Sequence, residues 1–141
     1  MATRKFMDVL TMVGTHAEKI DFLLAAKMLQ PSVLRQHPQI LTDMIAEILG
    51  GNYSTFSNAC ILSAILIRME GGWGDVAKAV SQALFTSRED CFNPDRLIAL
   101  RTILQMMEGK EKVVFFKKCF AEILFQVINN NSFFKILQFG S

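Results

Sequence analysis

Cysteine, histidine, tryptophan and tyrosine are all scarce in this 141-residue chain, which holds three, two, one and one of them. Cys60, Cys91 and Cys119 are odd in number and lie far apart in sequence, a pattern that suits neither a disulfide framework nor a CxxC metal clip. Unpaired thiols of this kind belong in a reducing compartment, the inside of a cell. His16 and His37 have no carboxylate or cysteine at helical spacing, so neither begins a metal-ligand pair. Charge is thin as well. Charged residues make up 20%, with 15 Lys and Arg against 13 Asp and Glu, for a net charge of +2. Phosphate-backbone binding needs clustered cations, so nucleic acid is excluded as a first reading. No glycine-rich loop runs into a helix carrying Lys-Ser/Thr, so a phosphate cradle is missing too. Asp43 and Glu47, one helical turn apart, keep a helix face wet rather than forming an acid–base pair. Neither a cofactor nor enzymatic chemistry is implied.

A long hydrophobic run is the other absence. The longest charge-free stretch lies between Glu47 and Arg68, but Gly50-Gly51-Asn52-Tyr53-Ser54-Thr55 places a turn inside it. A turn there would strand polar backbone in lipid, and the apolar remainder, Ala59 to Ile67, is too short to span a bilayer. Asp8 interrupts the N-terminal apolar stretch, and Phe139-Gly140-Ser141 carries no hydrophobic tail. No integral membrane insertion and no C-terminal transmembrane anchor are expected.

What the chain has is grease. Hydrophobic residues reach 51%, including 12 Phe and 8 Met, which supply bulk without a polar handle. The length is that of one domain, and the composition leaves apolar surface over for a partner. The apolar spacing is helical throughout, and sustained period-two alternation is missing. Met1 to Val13 and Ala17 to Leu29 read as helical stretches, and Pro31 and Pro38 bracket a short helix or turn. Ile40, Leu41, Met44, Ile45, Ile48 and Leu49 form a two-wide stripe that Gly50-Gly51-Asn52 ends. Ser54 or Thr55 caps the next helix, which runs to about Glu70 and is apolar enough for deep burial. Gly71-Gly72 closes it, and another helix runs from Trp73 to about Phe85. Asn93-Pro94 is a helix start, and Gly109 is read as the stop. Val113 to Ile128 is apolar almost all round and is expected to be buried, and a short amphipathic piece follows Ser132. Residues 1–141 should therefore form a single all-α domain, a compact bundle of about seven or eight helices around a buried central one.

One segment is more specific. Leu66-Ile67-Arg68-Met69-Glu70-Gly71-Gly72-Trp73-Gly74-Asp75-Val76 ends a buried helix, turns at a glycine pair and opens the next helix with Trp-Gly. It resembles the first homology region of the Bcl-2 family of apoptosis regulators, Leu-Phe-Arg-x-Gly-x-Asn-Trp-Gly-Arg. The stretch Asn130-Asn131-Ser132-Phe133-Phe134-Lys135-Ile136-Leu137-Gln138-Phe139-Gly140 is similar to the family's second region. The sequence departs from the pattern at Asp75, where the family has Arg, at Gly72 for Asn and at Phe133 for Trp. No third homology signature follows Leu34-Arg35-Gln36.

The resemblance implies a Bcl-2-like viral inhibitor of apoptosis that sequesters the BH3 helix of a pro-apoptotic host protein in a surface groove. It places Ile45, Ile48, Leu49, Tyr53 and Phe56 on one wall and Leu62, Ile65, Leu66 and Met69 on the other. Gly74 would let the partner's backbone approach closely, above a floor running to Val80. Arg68 or Lys78 would supply the cation that Asp75 does not. Localisation would be cytoplasmic in the host cell, reaching mitochondria through partners, and a homodimer could cover the same apolar groove region. The alternative is a self-associating helical scaffold or adaptor without BH3-binding activity.

Overall fold

The structure, a computed structural model, describes residues 38–50 and 53–129. Among them are five α-helices, one 3-10 turn and no strand. The expected stretches before Pro38, both histidines and the second homology-like segment lie outside the described residues.

Helix α1 is Pro38–Gly50 and α2 is Tyr53–Met69. Pro38 suits a helix start because its φ is preset and it has no N–H to leave unpaired. The two helices pack closely, and Met44 and Ile48 of α1 join Ala59, Ile61, Leu62, Leu66 and Ile67 of α2 in one core. Every residue from Ser57 to Ile67 is buried, as the nearly unbroken apolar run requires. Ser63 lives there because its hydroxyl donates back to Ala59 O at 2.8 Å and lies 3.4 Å from the Met44 sulfur. α2 is the central helix of the described fold.

The glycine pair ends α2 by a specific device. Gly71 N–H donates to Arg68 O at 3.0 Å and Gly72 N–H to Ile67 O at 2.9 Å, the paired bonds of a Schellman motif. Both glycines have positive φ, +80° and +102°, where a Cβ is penalised. Gly72 is required twice over. A Cβ there would sit 2.6 Å from Glu111 O and 3.0 Å from Val114 Cβ, so the turn packs backbone to backbone against the last helix. Trp73 follows, partly buried, its ring centroid 6.3 Å from that of Phe115.

Helix α3, Asp75–Leu84, buries Val76, Ala77, Val80, Ser81 and Leu84. It is shorter than the Trp73–Phe85 expected, because Trp73 and Gly74 belong to the turn. Gly74 has no side chain with which to cap α3, so Glu70 does it from the other side of the turn. Its Oε1 accepts from Val76 N–H at 3.0 Å. A 3-10 turn at Glu89–Phe92, not foreseen from the sequence, is held by Asp90, whose carboxylate accepts from Thr86 N–H and Ser87 N–H.

Helix α4, Pro94–Gln105, starts as read: Asn93 Oδ1 accepts from Asp95 N–H at 2.9 Å, with Pro94 in the first turn. Two expectations are corrected beyond it. Gly109 does not stop α4, which ends at Gln105. Instead, at φ +77°, it opens α5, Gly109–Asn129. Nor is α5 buried all round. Phe115 and Cys119 are fully buried, but seven large apolar side chains between Val113 and Ile128 are 37–61% exposed. α5 lies against one side of the core, with Ile123 and Val127 packed onto it, and only one side of a helix can face a core it does not pass through.

Replacing Gly72 with alanine should destabilise the fold by about 1–3 kcal/mol from the strained φ alone, and further through the clash with Glu111. Gly71→Ala, which meets nothing within 4 Å, should cost only the conformational penalty of about 1–2 kcal/mol. Urea unfolding of the two variants measures the difference, and equal costs would mean that the turn does not press on α5.

Candidate partner-binding surface

Four of the expected groove residues are core. Ile48, Leu62, Ile65 and Leu66 are 0–7% exposed and sit in one hydrophobic cluster. Ile45 and Phe56 are half-buried against the same cluster. The two walls expected to face each other across a groove thus join a single core, because α1 packs onto the face of α2 that the groove would have opened. The floor is closed as well, with Val76, Ala77 and Val80 all buried.

Gly74 takes a different role from the one expected. A Cβ there would lie 2.7 Å from both Cβ and Cδ of Glu70, so the space over this glycine is filled by the side chain that caps α3. It accommodates the chain's own carboxylate rather than a guest backbone. Lys78 is exposed on α3.

Exposed residues stand at the two ends of α2. Leu49 and Tyr53 are 42% and 83% exposed at the α1–α2 end. Met69 is 46% exposed at the other end, beside the exposed Arg68. At a rise of ~1.5 Å per residue, Tyr53 and Met69 are ~24 Å apart along the helix. The C-terminal end holds a depression. Ile65, Arg68, Met69 and Glu111 line a hollow of about 220 Å³ between α2 and the first turn of α5. It unites three of the expected residues with one the sequence did not flag. Glu111 arrives there because Gly72 brings the start of α5 against the turn, a contact between residues 39 positions apart that no local pattern signals.

Asp43 accepts from Gln39 Nε2 at 2.7 Å one turn away, a helix-surface contact. Burial pushes the Cys60 and Cys119 thiols from 9.0 up to about 12, with the Ser81 hydroxyl pulling Cys119 slightly the other way and Glu122 adding to the rise. Burial, then Asp90, raises Cys91 too, while Arg88 opposes. Since the thiolate is the nucleophile, all three are poor ones at neutral pH. Among the described residues, no cluster of three or more His, Cys, Asp or Glu could hold a metal ion, and no helix is long and apolar enough to cross a membrane.

Compared with known protein families, with curated proteins and with solved structures, the chain finds no significant match in any of the three.

Two measurements follow. Leu66→Ala should lower folding stability by about 2–5 kcal/mol in urea unfolding, the cost of a cavity in the core. A loss under about 1 kcal/mol would instead mark Leu66 as a surface wall residue. Cys60 and Cys119 should resist a thiol reagent at neutral pH until the chain is unfolded. Because their folded pKa values lie above the unfolded one, their stabilising contribution is full below pH 9.0 and is lost as pH rises toward about 12. Rapid labelling of both in the folded chain would contradict the burial.

Proposed function

We propose that this chain is a non-enzymatic inhibitor of apoptosis, Bcl-2-like in kind, that captures the BH3 helix of a pro-apoptotic protein. The observation that carries the reading is the hollow at the end of α2. There an exposed Met69 and the edge of Ile65 offer an apolar seat, and Arg68 offers a cation beside it. An amphipathic helix bearing an acid next to its apolar stripe needs these two features together. Arg68 rather than Lys78 is the residue that supplies the charge missing at Asp75, since it is Arg68 that lines the hollow. The thioether of Met69 adapts to differently shaped guests.

The closed packing of α1 on α2 sets the terms of such binding. A hollow of this size seats one or two side chains of a guest helix. Extending the contact along α2 means lifting α1 and exposing Ile48 and Leu62, at about 1.5–3 kcal/mol for each side chain uncovered. The affinity for a long helix is the surplus over that cost, which favours selectivity for few partners.

The second reading, a self-associating helical scaffold, has one observation in its favour: the exposed apolar side chains of α5.

Calorimetric titration of the full chain with a synthetic pro-apoptotic helical peptide should give saturable heat. Arg68→Glu and Met69→Ala should each weaken binding by about 1–2 kcal/mol, a factor of ten or so. No heat at tens of micromolar would reject the reading. An oligomer in light scattering that no peptide perturbs would favour the scaffold.

A further inference from the structure

A second apolar hollow, larger than the one at the end of α2, lies away from the resemblance, between α4 and α5. Leu104, Val113 and Phe116 form its apolar lining, in a volume of about 480 Å³. Among the described residues its charged lining is Arg101, Lys112 and Lys117, cations only, with Gln105 as the one neutral polar member. None of the three cations takes part in an ion pair or hydrogen bond among the described residues, so their charge is unspent.

The hollow continues as a stripe. From Val113 the spacing to Phe116, Phe120 and Leu124 is three, four and four residues, which keeps all four on one side of α5. Each is 44–51% exposed, and the rings of Phe116 and Phe120 stack with centroids 6.1 Å apart. At ~1.5 Å per residue the stripe runs ~16 Å, about three turns of a helix laid beside it. Glu111 and Glu122, the acids of α5, fall on the opposite side at ~100° per residue. One side of the helix is therefore apolar and basic with no acid among its lining residues.

We propose that this trough binds an amphipathic helix of another protein whose apolar stripe is flanked by Asp and Glu. The concave apolar lining would seat side chains at i, i+3/i+4 and i+7, and the guest's acids would meet Arg101, Lys112 and Lys117 at the rim. A second copy of this chain is the wrong occupant. A two-fold pairing sets the same patch against itself, so each cation would face cations. The site is distinct from the Arg68–Met69 hollow, and the two can be lost separately.

The test uses the full chain and two fluorescein-labelled helical peptides of about 18 residues with the same leucine stripe, one flanked by glutamate and one by lysine. Fluorescence anisotropy should show saturable binding of the glutamate peptide, weakened by added salt, and at least about tenfold weaker binding of the lysine peptide. Phe116→Glu should reduce binding of the glutamate peptide by about tenfold or more. The triple charge reversal R101E/K112E/K117E should invert the preference between the peptides. All four altered side chains of the trough are exposed or half-exposed, and circular dichroism with a thermal melt checks that each variant is folded. Equal affinity for the two peptides, no binding of either, or indifference to the charge reversal would overturn the proposal. So would a concentration-dependent dimer that Phe116→Glu dissolves, which would make a second copy the occupant. Binding to phosphatidylserine vesicles without binding to the glutamate peptide would make it a membrane face instead.

Discussion

A helix with no polar side must be surrounded, and the rest of this structure follows from that requirement in α2. From Ser57 to Ile67 it has no residue to show to water. α1, α3, α4 and α5 all pack against it, each through buried apolar side chains. The hydrophobic gain is collective, because no single neighbour could cover a helix on all sides. Its few polar residues are tolerated because helical geometry lets a serine hydroxyl return to the carbonyl one turn back, as Ser63 does. α2 therefore sets where its neighbours lie, and only its two ends reach the surface.

The turn after α2 shows how one set of residues supports two readings. Leu66 to Val76 resembles a segment that in the Bcl-2 family borders a ligand groove. In this chain each of its distinctive residues has a structural occupation. Gly71 and Gly72 end α2 with positive φ, Gly72 lets the backbone of α5 approach, and Gly74 makes room for Glu70 to cap α3. These occupations do not exclude a role in binding. The proposed binding role rests on Arg68 and Met69, which the turn leaves exposed, and not on Gly74 and Leu66, which it uses up.

α5 marks where pattern reading reaches its end. Its residues are apolar at most positions, and the natural expectation was burial. Yet Lys110, Lys112, Lys117 and Lys118 are interspersed among them, and long cationic side chains are costly to bury without partners. The helix settles against one side of the core through Phe115 and Cys119 and keeps Phe116, Phe120 and Phe125 half in water. The interleaving of Phe and Lys was the available signal that this helix is a surface element. Composition alone, counting the Phe and not the Lys beside them, could not read it.

Periodicity determined the helical class, the deep burial of α2, the glycine turn and the Asn93 cap, because helices are closed by hydrogen bonds and contacts within a few residues of one another. The apolar stripe of α1 was legible in the same way, but not whether it faced a groove or a core. That depended on α1 folding back over α2, and so did the fate of Ile48, Leu62 and Ile65. The pairing of Glu111 with Arg68 and Met69, and the trough between α4 and α5, were likewise decided only in three dimensions. Local sequence states which residues want burial; which ones obtain it depends on how many neighbours reach each helix, and that is a property of the packed chain.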